Sequence, residues 1–94
     1  MYNILDYTYA KAKDINVNVK PSTNSNKKID VFKNGQKVAS IGATGYLDFP
    51  TYIKTKGLEY ALNRRRLYYA RHNNEENIKD GKLTPSFYAK YLLW

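Results

Sequence analysis

Alternating apolar and polar residues in the first half of the chain predict β-structure. In Ile15-Asn16-Val17-Asn18-Val19 the β-branched residues fall on one face and the asparagines on the other, which is typical of a half-buried strand. The apolar residues of 1–12 also lie mostly on alternate positions, so this segment is predicted to be an extended arm or a short strand. The polar stretch 20–27 is rich in turn-forming residues and is predicted to be a surface loop.

A β-hairpin is predicted around Asn34 and Gly35. Two runs with high β-propensity flank this pair, and Asn-Gly tolerates the positive φ angles of the type I′ turn that joins such strands. A two-residue turn also fixes the register of the strands, which places Val31 opposite Val38. Both side chains are then expected in the core, together with Ile29.

Helical patterns dominate the second half of the chain. The main helix is predicted to begin at Gly57 or Leu58 and to end at His72, because helix-forming residues prevail between these positions. Thr84 followed by Pro85 is typical of an N-cap with proline at the first helical position, which predicts a second, shorter helix from there to residue 94. The main helix carries an apolar stripe that is expected to pack on the sheet. The members of this stripe are Leu58, Ala61, Leu62, Tyr68 and Tyr69.

These elements together predict an α+β fold. A small antiparallel sheet, made of one strand and the hairpin, is expected to pack against the main helix and the short C-terminal helix. The chain of 94 residues suffices for one modest core, so a single domain covering 1–94 is predicted. Within it, 1–12 is the possible arm, 15–42 is the β-rich part and 48–94 is the helical part.

The composition excludes several classes of active site. The chain has no cysteine and one histidine, so disulfides, thiol nucleophiles and multi-histidine metal sites are ruled out. Gly42 and Gly45 have the spacing of neither a dinucleotide-binding motif nor a P-loop. His72 lacks an evident catalytic partner in the sequence, and the adjacent Glu75 and Glu76 are expected to point apart. We therefore expect no enzymatic activity and no cofactor.

The net charge of +8 favours an acidic partner. Arginines that contact phosphates and tyrosines that stack on bases are the groups that a nucleic-acid site needs, and both types occur within 64–72. The helix projection nevertheless directs the tyrosines of this segment inward, and the two halves of the chain share the positive charge evenly. The candidate residues for binding nucleic acid or another partner are Arg64, Arg66, Arg71, Lys27, Lys28, Lys33 and Lys37.

Arg65 falls inside the apolar stripe of the main helix and therefore needs a partner of its own. A buried guanidinium without a carboxylate or carbonyl partner costs several kcal/mol. We predict a structural ion pair between Arg65 and Asp48, with Asp30 as the second candidate carboxylate; the alternative is a contact of Arg65 with a ligand or a partner. If the pair is buried, Arg65→Ala is expected to lower the free energy of unfolding by about 3–5 kcal/mol.

Ten tyrosines are more than the core of so short a chain is expected to hold. Tyrosine supplies a large, rigid contact area with one hydrogen-bonding end, and it is enriched in protein interfaces. The closing Tyr-Leu-Leu-Trp is also expected to be docked, because its exposure would promote aggregation. The residues predicted to form a partner interface are Tyr2, Tyr7, Tyr9, Tyr88, Tyr91 and Trp94.

Four short motifs occur in order along the last two-thirds of the chain. They are Ile-Gly-Ala from Ile41, Gly-Tyr-x-Asp-Phe from Gly45, Tyr-x-x-Arg-His from Tyr68 and the closing Leu-Leu-Trp from Leu92. With these motifs the chain resembles a small uncharacterised family encoded by giant double-stranded DNA viruses. The resemblance implies a viral origin and brings no known activity with it.

The resemblance implies a role in the virus particle. Small, basic, tyrosine-rich proteins without enzymatic motifs are commonly virion components in such viruses, so we expect a viral structural protein, either a minor capsid protein or another virion component. Its expected partners are the major capsid protein or neighbouring minor capsid proteins, with DNA as a further candidate. We expect it in the virion after synthesis in the host cytoplasm. No membrane span is expected, because no apolar run approaches the ~20 residues that a span needs.

The alternative function is that of a basic accessory protein that binds nucleic acid. It would use the arginines of the main helix and the lysines of the hairpin. Affinity that falls steeply with salt would distinguish this function from that of a capsid component.

Overall fold

Four helices and five strands form the structure, a computed structural model that describes residues 2–94. In chain order they are α1 (Asp6–Asp14), β1 (Asn18–Pro21), β2 (Lys27–Lys33), β3 (Gln36–Ala43), α2 (Phe49–Lys56), α3 (Leu58–His72), β4 (Ile78–Lys79), β5 (Lys82–Leu83) and α4 (Pro85–Leu93). The first three strands make an antiparallel sheet in the order β1-β2-β3, and β4 and β5 form a separate two-stranded sheet. This mixed content confirms the predicted α+β class. Across residues 2–94, the helices all fall short of the length and hydrophobicity that crossing a bilayer requires.

The turn between β2 and β3 confirms the predicted hairpin. Asn34 and Gly35 have φ angles of 53° and 78°, the left-handed conformation that a type I′ turn requires. A β-bulge next to Val31 then shifts the register, so that Val31 lies opposite Ala39. The predicted pairing of Val31 with Val38 is therefore wrong. Val38 is the extra residue on β3 and lies outside the core, with 39% of its surface exposed.

The buried face of the sheet is covered mainly by α4. Ile29, Val31 and Ile41 are almost fully buried in one cluster with Leu92 and Leu93 of α4. α4 lies on β3, and α1 lies against both α4 and β1. The main helix α3 packs chiefly on α2, so the expectation that its apolar stripe packs on the sheet is wrong.

Two helices begin at side-chain N-caps. At α4, as predicted, the main-chain N–H of Phe87 donates to Oγ1 of Thr84, 3.2 Å away. At α2 the N–H of Thr51 donates to the carboxylate of Asp48, 3.0 Å away, and Pro50 stands in the first turn. The sequence pattern does not predict α2, because it treats this stretch as a corner between the sheet and the main helix.

α3 has the predicted bounds but buries a narrower face than its apolar stripe suggests. Ala61 is fully buried against Phe49 and Tyr52 of α2. Leu58 and Leu62 remain 57% and 42% exposed. Because α2 has only eight residues, it covers part of α3 and leaves these leucines in solvent.

Residues 6–14 form a helix, so the prediction of an arm or strand at 1–12 is wrong; Met1 lies outside the described residues. Thr8 and Ala12, one helical turn apart, are buried, and the hydroxyl of Thr8 donates to the main-chain carbonyl of Leu92, 2.9 Å away. Asp6 in the first turn and two lysines in the last turn complement the helix dipole.

The predicted strand at 15–19 begins later than expected. Ile15 and Asn16 close the last turn of α1, and Asn16 has a φ angle of 57°. The strand β1 therefore starts at Asn18. Val17 and Val19 are nevertheless both buried, as their alternation with asparagines predicts.

Gly42 allows β3 to pass close to α4. Its φ angle is 79°, and a Cβ atom at this position would lie 2.9 Å from Cδ1 of Leu93.

Gly42→Ala is expected to lower the free energy of unfolding by about 2–4 kcal/mol, because it adds left-handed strain and overpacks the core. Gly45→Ala is the matched control, since a Cβ there meets nothing within 4 Å. Urea denaturation should show a change within about 0.5 kcal/mol for this control; equal losses for the two variants would contradict the close approach.

The buried carboxylate of Asp30 links β2 to the segments on both of its sides. It accepts hydrogen bonds from the hydroxyls of Ser40 (2.6 Å) and Ser22 (2.7 Å) and from the main-chain N–H of Thr23 (3.3 Å). Burial by itself would raise the pKa of Asp30, but these hydrogen bonds to the charged form outweigh it and hold the pKa below its ordinary value.

The lowered pKa of Asp30 gives the fold a dependence on pH. Its contribution to stability is fully present above the ordinary pKa of about 3.9 and is lost as the pH falls through the lower pKa of the folded state. Asp30→Asn should therefore lower the melting temperature near neutral pH, and the difference from the unmodified protein should shrink in strongly acidic buffer. Thermal melts across this range are the measurement. A difference that does not vary with pH would show that the charge of Asp30 has no such role.

Candidate functional site

Asp48 closes the corner loop (residues 44–48) that joins β3 to α2, and it holds three parts of the chain together. Its carboxylate is almost fully buried. It accepts hydrogen bonds from the hydroxyl of Tyr2 (2.7 Å), the ammonium of Lys28 on β2 (3.0 Å) and the main-chain N–H of Thr51 (3.0 Å). The predicted ion pair between Arg65 and Asp48 is therefore wrong, because Lys28 is the cation that pairs with this carboxylate.

Arg65 contacts an aromatic ring instead of a carboxylate. Its guanidinium carbon lies 4.4 Å from the centroid of the Phe49 ring, which is the geometry of a cation–π contact. Asp30, the second candidate partner, has Lys37 as its nearest cation at 3.9 Å. Because Arg65 is only half-buried, water and the ring together are sufficient to solvate its charge.

The pattern of burial makes the surface more basic than the composition suggests. Two of the eight acidic residues, Asp30 and Asp48, are buried, whereas Lys28 is the only buried residue among the sixteen lysines and arginines. The expectation that Lys28 contacts nucleic acid at the surface is wrong for the same reason. The remaining positive charge is available to attract an anionic ligand.

A cleft of about 510 Å³ lies between the corner loop, α3 and the end of α4. Gly42 of β3 and Ala89 and Leu93 of α4 give the cleft an apolar base. Its walls carry aromatic and basic side chains, which are Lys28, Tyr46, Tyr52, Arg64, Tyr68, Arg71, His72 and Trp94. The combination of an apolar base with basic walls suits a planar, negatively charged ligand.

One face of α3 provides the basic wall of this cleft. Arg64, Tyr68, Arg71 and His72 follow the spacing i, i+4, i+7 and i+8, which places them on the same side of a helix. This spacing is visible in the sequence. It differs from the predicted arrangement, in which Tyr68 belongs to the apolar stripe that packs on the sheet.

Three aromatic rings are stacked in the wall of the cleft. The ring of Tyr68 is nearly parallel to the indole of Trp94, with centroids 4.4 Å apart and an interplanar angle of 8°. It also stacks on the imidazole of His72, with centroids 4.2 Å apart. Burial, with the charge of Glu75 as a second cause, raises the pKa of Tyr68 to about 12. The phenol therefore stays neutral and able to donate a hydrogen bond at physiological pH.

The arginines of the protein are not matched by carboxylates. In the part of the chain that the structure covers, none of the four takes part in a salt bridge. Arg64 lies over the ring of Tyr52 at 5.5 Å, and its buried Nε has no hydrogen-bond partner. Arg66 is exposed and donates to the side chain of Asn63. The guanidinium groups of Arg64 and Arg71 are thus free to bind an anion at the cleft.

Most of the tyrosines predicted for a partner interface make contacts inside the protein. Tyr88 is 3% exposed, so the expectation that it lies at the surface is wrong. Tyr2 and Tyr7 are half-buried, and burial raises the pKa of both hydroxyls. The hydroxyl of Tyr2 donates to Asp48 and that of Tyr7 to the main-chain carbonyl of Trp94.

Tyr91 and Tyr9, on α4 and α1, differ in exposure. The ring of Tyr91 stacks on Phe87, with centroids 5.8 Å apart, and the ammonium of Lys11 lies 4.3 Å from its centroid. Tyr9 remains exposed to solvent. Of the six residues predicted for the interface, Tyr9 is therefore the one most accessible to a partner, whereas Trp94 belongs to the cleft.

Of the hairpin lysines, Lys28 lines this cleft but is paired with Asp48, and the other three lie away from it. Lys33 and Lys37 line a separate depression together with Lys82. Lys27 lines another one, beside Tyr2 and the loop that precedes β2. The structure thus brings together Arg64, Arg71 and the paired Lys28 of the predicted basic set, and it places Lys27, Lys33 and Lys37 on other surfaces.

Tyr46, like Tyr52, is a residue of the site that no sequence pattern marks as a candidate. It stands on the corner loop at the edge of the cleft with 75% of its surface exposed, beside the exposed Leu47. Its only sequence signal is its place in a Gly-Tyr pair at a sheet-to-helix corner. Within residues 2–94 no group of three or more histidine or acidic side chains is placed to hold a metal ion.

Comparison with known proteins adds no relative: no family model, curated protein or solved structure matches the chain. The resemblance to a giant-virus family therefore stays a prediction. The geometry of the cleft is the observation that indicates a function.

The pairing at Asp48 predicts which cation is essential for stability. Lys28→Met is expected to lower the free energy of unfolding by about 3–5 kcal/mol, because it leaves a buried carboxylate without its counter-charge. Arg65→Ala should cost only about 0.5–2 kcal/mol, the value of a cation–π contact. Urea denaturation measures both.

A double variant supplies the control for this prediction. Lys28→Met combined with Asp48→Asn removes the uncompensated charge and keeps an N-cap residue at the start of α2. It is expected to be more stable than Lys28→Met alone. A larger loss for Arg65→Ala than for Lys28→Met would show that the ion pair has been assigned to the wrong cation.

Proposed function

We propose that the protein binds single-stranded nucleic acid through the cleft between the corner loop, α3 and α4. The observation that carries this proposal is the position of the stacked rings of Trp94, Tyr68 and His72 in the same cleft as Arg64 and Arg71. Aromatic rings on which bases stack and basic groups that follow the backbone are the two components of sites for single strands.

An unpaired strand suits this cleft better than a duplex does. Bases in a duplex present only their edges in the grooves, whereas stacking needs an exposed base face. The cleft volume of about 510 Å³ is that of a site for one small ligand rather than of a channel for a double helix. Because every base has a π-face, such stacking supports binding with little sequence preference.

The distribution of charge supports attraction of a polyanion over a longer range. The net charge is +8, and burial of Asp30 and Asp48 removes two acidic groups from the surface. Arginines without carboxylate partners give up no internal ion pair when they bind a phosphate. Binding is therefore expected to release counterions and to weaken as salt is added.

The salt dependence of oligonucleotide binding tests the proposal. A labelled oligothymidylate is titrated with the protein at several salt concentrations and followed by fluorescence anisotropy. Each phosphate contact contributes a slope of about −0.7 to the plot of log affinity against log salt for single strands. Arg64→Gln and Arg71→Gln together should make the slope less steep by about 1.4.

Lys13→Gln is the control for this titration. Lys13 is exposed on α1 and does not line the cleft. The variant removes one positive charge, so the affinity for the oligonucleotide should fall slightly. If the arginines make the phosphate contacts, the slope of log affinity against log salt should stay the same. The proposal fails if the arginine double variant retains the original slope, or if the unmodified protein does not bind the oligonucleotide at all.

A second candidate function is that of a minor capsid protein or another virion component of a giant DNA virus. The observation that favours it is the exposure of Leu58 and Leu62, which lie one turn apart on the same side of α3 and outside the cleft. Apolar groups clustered on a surface are typical of sites that contact another protein. The partner would then be the major capsid protein or a neighbouring minor one, in virions assembled after synthesis in the host cytoplasm.

Quantitative mass spectrometry of purified virions distinguishes the two functions. A capsid component stays with the shell, at a fixed ratio to the major capsid protein, when the packaged DNA is released under mild conditions. Loss of the protein together with the DNA would instead favour nucleic-acid binding, and its absence from particles would exclude the virion role.

A further inference from the structure

We propose that the cleft takes up one unpaired nucleotide of the bound strand, with its base held against Tyr46 and its phosphate on Arg71 and Arg64. This inference rests on the proposed function and names the ligand of that same site. It goes beyond that function because purely electrostatic binding needs only contacts between the phosphates of the strand and the protein surface. Such binding places no base in the cleft. The size of the cleft, its exposed rim and its guanidinium groups without salt bridges support this ligand.

The base of the cleft matches the apolar face of a nucleobase. Gly42, Ala43, Ala89 and Leu93 line it with small or apolar groups, and the charge of Lys28, which also lines the cleft, is paired with Asp48. A ligand with charge on all sides would lose its hydration here without compensation. Such a lining favours a ligand with a planar, weakly polar ring inside the cleft and a charged group at its mouth.

Tyr46 provides the surface on which the base can stack. Its ring is 75% exposed and stands on the corner loop, whereas the other aromatic wall of the cleft belongs to α3 and the end of α4. Leu47 extends the same apolar edge. An exposed tyrosine at the mouth of an aromatic cleft gains buried area when a ring enters, and this favours uptake of a base.

The phosphate has its partners at the other side of the cleft. Arg64 and Arg71 lie two turns apart on α3 and form no salt bridge with any residue in 2–94. The fork of a guanidinium binds two oxygens of one phosphate group. His72, also on α3, has its Nδ1 2.8 Å from the carboxylate of Glu75, which fixes the imidazole in its stacked position.

The experiment uses the fluorescence of Trp94, the one tryptophan of the chain, as a reporter inside the cleft. The full chain is titrated with three probes: an oligothymidylate, an oligomer of the same length made of abasic deoxyribose phosphates, and an oligoglutamate of equal charge. The oligothymidylate is expected to bind more tightly than the other two and to change the emission of Trp94. The abasic oligomer should bind weakly and leave that emission nearly unchanged.

Tyr46→Ala tests the stacking partner. Because Tyr46 makes few internal contacts, the variant should fold normally. Its affinity for the oligothymidylate is expected to fall roughly 5- to 100-fold, the effect of losing one stacked base, with no change for the abasic oligomer. Tyr9→Ala, at an exposed tyrosine of α1 that does not line the cleft, is the matched control and should change neither affinity.

The outcomes separate this inference from the proposed function. If the abasic oligomer binds as tightly as the oligothymidylate and Tyr46→Ala changes neither, the inference is wrong while salt-dependent binding of nucleic acid stands. If oligoglutamate binds equally well and changes the emission of Trp94 in the same way, the site recognises negative charge in general and the inference is again overturned. If no oligonucleotide binds, both the inference and the proposed function fail.

Discussion

The buried carboxylate of Asp48 is the constraint on which the corner of the fold depends. A carboxylate removed from water is tolerated only when hydrogen bonds and an opposite charge surround it. Here Lys28 supplies the charge, Tyr2 a hydroxyl and the first turn of α2 a main-chain N–H, all within 3.0 Å. Because these groups come from three separate segments, satisfying one side chain fixes the N-terminal segment, the sheet and α2 relative to one another. The burial of Lys28 is a consequence of the same requirement.

The cleft is formed as a result of this fixed corner. The corner loop follows the end of β3, where Gly42 passes close to Leu93, and it ends at Asp48, so one wall of the cleft is held at both ends. Trp94 packs against both hydrophobic clusters of the protein and anchors the opposite wall. A ligand would therefore meet rings that are already in position, which lowers the entropic cost of binding. The arginines of the cleft, in contrast, have no salt bridges to give up within residues 2–94.

The sequence predicts those parts of the structure that depend on a few neighbouring residues. The Asn34-Gly35 turn and the Thr84 N-cap are local signals, and the hairpin and α4 occur where they indicate. The bulge that displaces Val38 and the choice of Lys28 over Arg65 as the partner of Asp48 depend on how distant segments meet, which no local pattern records. Residues 6–14 form a helix where the sequence predicts an extended segment, because a short run of apolar residues on alternate positions is compatible with a strand and with a helix. Which of the two forms depends on the side chains that are buried against the rest of the protein. For the site, the basic character of 64–72 is predictable, whereas the exposed tyrosine of the corner loop becomes meaningful only beside the cleft.

Chemical-shift mapping of the labelled protein with a short single-stranded oligonucleotide is the most direct test of the cleft as the binding site. The largest changes are predicted at the indole N–H of Trp94 and the side-chain Nε–H groups of Arg64 and Arg71, and a duplex of the same sequence should change them much less. If the changes are confined to Lys33, Lys37 and the hairpin, or are equal for the single strand and the duplex, binding takes place elsewhere and the proposed role of the cleft is contradicted.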